Sequence, residues 1–205
     1  MKRILRFNLV VLTAAVILCF AGSALAGTVF DLSPTTSTTF RSADSGPGQG
    51  VVVGTTTTIT DMAFYLNMPN GGDLKFMIWD DTNSNLLFST VLNGVAASNT
   101  QTWVASNPFS FTLNSGHEYW FGIIADNSVD VGYIYPTYAY SANGLSADAN
   151  GNSNYSGFAN PVNAGNGAAE IGLQLTSGVP EPASFLLLGS GIVGLAGILR
   201  RKLNL

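Results

Sequence analysis

Short runs of alternating apolar and polar residues, separated by turn-forming residues, dominate the chain between residues 27 and 178. In the runs 62–66 and 74–78, large apolar residues recur at every second position, which places them on one face of a β-strand. Asn, Asp and Gly lie between such runs and accept the backbone conformations of tight turns. No run of useful length has the period of a helix. The chain is therefore predicted to contain an all-β domain with an antiparallel β-sandwich or jelly-roll-like fold.

Eight segments of this stretch are predicted as strands, and two are predicted as loops. The predicted strands are 59–66, 74–79, 86–92, 101–106, 109–113, 118–125, 131–135 and 171–176. The predicted loops are 42–50, which contains Gly46-Pro47-Gly48, and 141–169, which is rich in Asn, Ala, Ser and Gly. A loop as long as 141–169 is uncommon in a compact domain, so its length indicates function or mobility.

The stretch 27–178 is strongly acidic, with eleven carboxylates against two cations, Arg41 and Lys75, and a formal charge of −9. A surface of this sign repels phosphate backbones, because proteins displace the counterions of nucleic acids with Lys and Arg. Nucleic acid is therefore excluded as a partner. The only cysteine of the chain is Cys19, so the stretch has no disulfide, thiolate metal site or cysteine nucleophile.

The first 26 residues have the three parts of a cleavable secretory signal peptide. Three basic residues lie within the first six positions, and an apolar run follows from 9 to 22. Ala24 and Ala26 supply the small residues that signal peptidase accepts, so cleavage is predicted directly after Ala26. An uncleaved membrane anchor is the alternative.

The last 27 residues form a second apolar segment with distinct boundaries. Its parts are, in order, Pro180-Glu181-Pro182, an uncharged run over 183–199, and Arg200-Arg201-Lys202. As a helix, the uncharged run rises about 25 Å, slightly less than a hydrocarbon core of about 30 Å. The trailing cations place its end in the cytoplasm. A single transmembrane helix is therefore predicted, and the chain divides into a signal peptide (1–26), an exported β-sandwich domain (27–178) and this tail (179–205).

All three parts of the tail resemble the PEP-CTERM sorting signal of Gram-negative bacteria: the Pro-Glu-Pro at 180–182, the Gly-rich apolar helix over 185–199 and the basic cluster at 200–202. The resemblance implies processing near Pro182 by an exosortase, a membrane-embedded transpeptidase. It also implies an inner-membrane precursor that is delivered to the cell surface or to an extracellular polysaccharide matrix. An ordinary anchor is the alternative, but it does not explain two prolines that hold the chain extended directly before the helix.

Two further similarities bear on the middle of the chain. The stretches 73–90 and 108–122 are similar to β-sandwich modules that often precede such tails, which supports the fold and not an activity. The tail is also catalogued under a name taken from ice-binding proteins. The Thr runs at 35–39 and 55–58 lack a regular T-x-T repeat, so ice binding is not predicted for the domain.

No catalytic constellation is visible in the sequence of the domain. The single histidine, His117, lies in a predicted turn and is interpreted as a surface residue, and the G-x-S-x-G and H-E-x-x-H motifs are absent. The domain is therefore predicted not to be an enzyme. A glycosidase needs only two carboxylates, so an extracellular carbohydrate-active hydrolase stays open as the alternative. Its candidate acids are Asp73, Asp80, Asp81, Glu118, Asp126 and Glu170.

No cofactor is predicted, and Ca²⁺ is the one ion that the sequence leaves open. Two segments alternate oxygen-bearing residues as calcium loops do: 81–85, which reads Asp-x-Asn-x-Asn, and 148–154, which reads Asp-x-Asn-x-Asn-x-Asn. The first lacks the Gly and the Glu that complete an EF-hand loop, and Asx turns explain both segments equally well. Metal ligands therefore remain unknown at this point.

Aromatic residues give the remaining indication of a ligand. Tyr and Trp rings stack on the flat faces of sugars, although the same residues also pack β-sheet cores. The candidates are Tyr133, Tyr135, Tyr138, Tyr140, Trp79, Trp103 and Trp120. Together with the polysaccharide setting that the tail implies, they lead us to predict an exported, non-catalytic surface module that associates with exopolysaccharide.

Overall fold

The computed structural model describes residues 27–34, 37–80, 85–134, 139–167 and 170–178. These residues contain strands and no α-helix, and Gly27–Ser177 form one compact unit. None of the described residues belongs to a helix of the length and apolarity that a membrane span requires. The predicted signal peptide and the predicted C-terminal transmembrane helix lie outside these ranges.

The described residues form sixteen strands, most of them short. In chain order they are β1 (Gly27–Leu32), β2 (Ser37–Arg41), β3 (Ser45–Val53), β4 (Thr57–Ile59), β5 (Asp61–Asn67), β6 (Gly72–Asp80), β7 (Leu86–Val95), β8 (Thr102–Ala105), β9 (Phe111–Leu113), β10 (Glu118–Ala125), β11 (Val129–Ile134), β12 (Ser141–Ala142), β13 (Leu145–Ser156), β14 (Val162–Gly167), β15 (Glu170–Ile171) and β16 (Leu173–Ser177). The prediction of an all-β fold is confirmed.

Two seven-stranded sheets make up most of the domain. Sheet A has the strand order β1-β16-β5-β11-β15, with β2 also paired to β11 and β8 also paired to β5. Sheet B has the order β12-β13-β3-β10-β6-β7, with β14 also paired to β13, and β4 and β9 form a separate two-stranded sheet. Every pairing between described strands is antiparallel, as predicted.

One hydrophobic core takes its side chains from both sheets. Phe64 and Val131 belong to sheet A, whereas Phe76 and Phe121 belong to sheet B, and all four are buried in the same cluster. The ring centroids of Phe64 and Phe76 lie 6.1 Å apart. The two sheets therefore pack face to face as two layers, which is the arrangement that a β-sandwich requires.

A buried glutamine connects the two layers. Gln49, on β3, is fully buried, and its Oε1 accepts a hydrogen bond of 3.0 Å from the backbone N–H of Ile171 on β15. Its Nε2 donates to the carbonyl oxygens of Gly50 and Asp148 at 3.0 Å and 3.4 Å. Because both polar atoms of the amide have partners, the side chain lies in the core without the cost of an unsatisfied polar group.

The prediction of a loop over 42–50 is wrong for most of that segment, because β3 begins at Ser45. Gly48 lies in this strand and is buried, and a Cβ there would overlap the ring of Tyr155. The glycine thus makes room for a large side chain and does not form a turn. The ladder between β3 and β10 ends at Gly48, so Pro47 is paired only with β13. Proline, which has no N–H, is accepted at a strand position that is paired on one side only.

The prediction of a loop over 141–169 is also wrong, since β12, β13 and β14 occupy most of it. Both ends of β13 pair with β3, and a bulge between Ala147 and Asn152 interrupts the ladder. Asn, Ser and Gly have low strand propensity, so the neighbouring strand, and not the composition, determines the conformation of this segment.

Candidate functional site

Two of the six candidate acids come together in the structure. Asp73 lies on β6 and Asp126 directly follows β10, and Oδ1 of Asp126 accepts a hydrogen bond of 2.8 Å from the backbone N–H of Asp73. Oδ1 of Asp73 in turn accepts a bond of 2.8 Å from the backbone N–H of Gly94. Both carboxylates therefore cap main-chain groups at one end of sheet B, which is a turn-stabilising role.

The other polar candidates do not converge with these two. Asp80 ends β6, Glu118 begins β10 and Glu170 begins β15, whereas Asp81 lies outside the described residues. His117 is exposed directly before β10. Within the described ranges, no group of three or more His, Cys, Asp or Glu residues is placed to hold a metal ion.

The two segments that sequence analysis left open for Ca²⁺ have different positions in the chain. Four of the five residues of 81–85 lie outside the described ranges. The other segment, 148–154, lies on β13, where it forms part of a strand and not an isolated loop. Ca²⁺ binding, which the sequence left open without predicting it, gains no support from either segment.

Trp79 and Trp120 lie opposite each other on β6 and β10, but their rings pack against protein. They are only 4% and 6% exposed. Trp79 stacks on Tyr155 with 5.2 Å between ring centroids and 15° between ring planes. Phe158 packs against the same group of residues, which lies on the face of sheet B that points away from the core. The flat faces of these two tryptophans are therefore covered.

The described tyrosines among the candidates also have structural contacts. Tyr133 accepts a hydrogen bond from Nη2 of Arg41 through its hydroxyl. The ring of Tyr140 packs edge-on against Phe30 at 5.1 Å, and its hydroxyl accepts a bond of 3.3 Å from the backbone N–H of Asp31. Tyr135 and Tyr138 lie outside the described residues.

The third tryptophan has a different setting. Trp103 lies on β8 directly opposite Tyr65 on β5, and both residues are half-buried. Because the residues before and after Tyr65, Phe64 and Leu66, point into the core, Tyr65 points to the outer face of sheet A. The two rings meet edge to face, with centroids 5.4 Å apart and 67° between planes. We call Tyr65 and Trp103 the aromatic ledge.

Gly132, Gly172 and Pro34 lie against Tyr65 beside the aromatic ledge. A Cβ at Gly132 would lie 2.8 Å from Cδ1 of Tyr65 and 3.1 Å from Cβ of Pro34, and a Cβ at Gly172 would lie 3.0 Å from Cβ of Tyr65. Larger side chains at these positions would displace the tyrosine. The ledge therefore depends on residues without side chains to keep the Tyr65 ring against the sheet.

Polar side chains border the ledge on the side of Asn67. Nδ2 of Asn67 donates to Oδ2 of Asp130 at 3.2 Å and to the carbonyl oxygen of Ser98 at 3.1 Å. Nε2 of Gln101 donates to the carbonyl oxygen of Asp130 at 3.3 Å. These bonds hold the Asp130 carboxylate and two amides in place on the same face as the two rings.

A second carboxylate of this face, Asp61, has a perturbed pKa. Burial raises the pKa of Asp61 above its ordinary value, and hydrogen bonds from the Ser106 side chain and from the backbone of Met62 and Ser106 oppose this effect without cancelling it. The folded state therefore binds the proton of Asp61 more tightly than the unfolded state does.

The contribution of Asp61 to stability is therefore expected to fall as the pH rises from about 4 toward neutrality. Below this window both states are protonated, and above it the folded state carries a charge that burial disfavours. We expect the Asp61→Asn variant, which cannot ionise, to gain unfolding free energy relative to the unmodified protein across the window. Urea unfolding of both proteins between pH 3 and pH 7 measures this difference. A difference that does not change with pH would contradict the assignment.

Comparison with family models identifies the tail. Residues 178–202 match the model of the PEP-CTERM protein-sorting motif, so the resemblance inferred from the sequence is confirmed. A motif of this kind supports export of the protein to the cell envelope and sorting by an exosortase. The matched residues include both Pro180-Glu181-Pro182 and Arg200-Arg201-Lys202. No curated protein matches the chain.

Proposed function

We propose that the exported domain is a non-catalytic surface module that associates with extracellular polysaccharide through the aromatic ledge. The observation that carries this proposal is the half-buried pair of Tyr65 and Trp103 on the outer face of sheet A. An aromatic pair that does not close into a core presents apolar area to the C–H faces of sugars. The bordering Gln101 and Asp130, which are only partly buried, offer hydrogen bonds to hydroxyls.

The export route belongs to the same proposal. Signal peptidase would cut after Ala26, and the tail would hold a single-pass precursor in the inner membrane of a Gram-negative bacterium with Arg200-Arg201-Lys202 on the cytoplasmic side. An exosortase would then cut near Pro182 and pass the domain to the cell surface or to the extracellular matrix. At this location the domain would be in reach of extracellular polysaccharide.

Removal of the Trp103 ring is expected to weaken glycan binding about tenfold or more, since the ring supplies much of the stacking area. The measurement is a glycan array with the purified exported protein, followed by affinity measurements on the glycans that bind. The Leu87→Ala variant is the matched control, because Leu87 is an apolar residue, 43% exposed, on a strand of the other sheet. Melting temperatures of both variants show that each is folded.

Product formation distinguishes the alternative hydrolase function from binding alone. Release of reducing sugar that disappears in a single Asp→Asn or Glu→Gln variant would replace the non-catalytic proposal by the hydrolase. Asp73 and Asp126 are the first pair to test, since they are neighbours in the structure. Binding without turnover, lost in Trp103→Ala and kept in Leu87→Ala, supports the surface module.

A further inference from the structure

We infer that the ledge is one end of an extended site for a linear polysaccharide without acidic groups, which runs across sheet A from Trp103 over Tyr65 to Phe40. This inference rests on the proposed function and adds the length of the site, its direction and the charge of its ligand.

Phe40 is the third aromatic ring of this face. It lies on β2 directly opposite Asp130 on β11, and the neighbours of Asp130, Val129 and Val131, point into the core. Phe40 and Asp130 therefore share the outer face with the ledge. At 64%, Phe40 is the most exposed large hydrophobic residue among the described residues. Within the described part of the chain, this exposure leaves the Phe40 ring without a role in core packing.

The three rings lie along a path across four neighbouring strands. The pairings are β8 with β5, β5 with β11, and β11 with β2. At about 4.8 Å between strands, β8 and β2 lie about 14 Å apart, and the offset of two residues between Tyr65 and Asn67 adds about 7 Å along the strands. This distance suits a run of several sugars and exceeds what a monosaccharide can bridge.

The charges of this face determine which polysaccharide fits. Asp31, Asp61 and Asp130 all alternate with core residues on their strands and therefore lie on the outer face of sheet A. The two cations of the domain lie elsewhere: Arg41 donates to the hydroxyl of Tyr133, and Lys75 donates to the carbonyl oxygens of Phe158 and Ala159 beside sheet B.

Among its described residues, this face thus carries carboxylates and no cation. Asn67 holds the Asp130 carboxylate between Phe40 and the ledge, so a polymer that spans all three rings must pass this charge. A uronic acid polymer would meet repulsion at each carboxylate, whereas a neutral or amino-bearing polymer would not. The repulsion is screened by salt, because the charges are close to solvent.

The test uses the purified exported protein and three soluble probes: a neutral linear glucan, partly deacetylated chitin and alginate. We expect the first two to bind at least tenfold more tightly than alginate at 20 mM salt, a ratio that shrinks as salt is added. The Phe40→Ser variant is expected to lower the affinity for the polymers about tenfold and to leave the affinity for a disaccharide of the same sugars unchanged. Since Phe40 is exposed, this substitution does not remove core packing.

The Asp130→Asn variant tests the charge separately. It keeps the size of the side chain and is expected to raise alginate affinity several-fold at low salt without a change for the neutral glucan. Equal affinity for all three probes would overturn this inference, and so would a Phe40→Ser variant with normal polymer affinity. In either case, loss of binding in Trp103→Ala would still support the proposed function. If no probe binds, the proposed function fails and the inference fails with it.

Discussion

Gly46→Ala is expected to destabilise the exported domain by more than about 3 kcal/mol, enough to prevent folding of a marginally stable protein. A Cβ at Gly46 would overlap the carbonyl oxygen of Ile123 and lie 2.7 Å from its carbonyl carbon. These are backbone atoms of β10, so no side chain can rotate away. The methyl group fits only if the backbones of β3 and β10 move apart at this point, next to the end of their ladder at Gly48.

The measurement for Gly46→Ala is urea unfolding of the purified exported protein, followed by far-ultraviolet circular dichroism. Gly94→Ala is the control, because a Cβ at Gly94 meets no atom within 4 Å and its φ of +66° adds only about 1–2 kcal/mol of backbone strain. A Gly46→Ala variant that fails to accumulate while Gly94→Ala accumulates normally counts as the expected result. Equal stability of the two variants would show that the β3–β10 contact is looser than the structure indicates.

Replacement of Pro180-Glu181-Pro182 by three alanines is expected to stop processing of the tail. The substitution keeps the length and hydrophobicity of the segment, and it removes both the extended conformation that the prolines impose and the charge between them. We expect the variant to stay in the membrane fraction at precursor length, less only the signal peptide. The unmodified protein is expected to lose its last 20–25 residues or so, a span set by the apolar segment that the membrane holds.

Intact-mass measurement of membrane, surface and medium fractions distinguishes these outcomes. A variant with alanines at Leu203, Asn204 and Leu205 is the control, because it changes the same number of residues and leaves the matched motif, 178–202, untouched. This control is expected to be processed like the unmodified protein. Should the motif variant reach the cell surface with the same mass as the unmodified protein, the Pro-Glu-Pro is not a processing signal and the tail is a plain anchor.

The strands that sequence analysis predicted are rich in large apolar residues, on one face or on both. The run 74–78 alternates strictly and becomes the centre of β6, and 118–125 becomes β10. By contrast, β3 and β13 were predicted as loops, because Gly, Pro, Asn and Ser carry no signal for a strand. Their conformation depends on partners that are distant in the sequence. Gly48 is needed because the Tyr155 ring packs over it, and neither segment alone predicts that contact.

The candidate site was predicted in part. Trp103 was among the aromatic candidates, whereas Tyr65 and Phe40 were not, although the position of Tyr65 between two core residues indicated the outer face. Trp79 and Trp120 have similar sequence surroundings and lie under other side chains, since Tyr155 and Phe158 cover that face of sheet B. The exposure of a side chain on a sheet face depends on which other segment covers that face, and the local sequence pattern does not predict this.

The position of the last strand has a mechanical consequence. β16 lies between β1 and β5, and its end at Ser177 is paired with Gly27, where the domain begins. A pull on the chain beyond Ser177 therefore acts along an interior strand and loads the hydrogen bonds to both neighbours together, in shear and not one by one. Trp103 and Tyr65 belong to the same sheet as β16. A drag force between a ligand held on the ledge and an attachment at the C-terminal side thus stays within sheet A, and it does not pull the two layers of the domain apart.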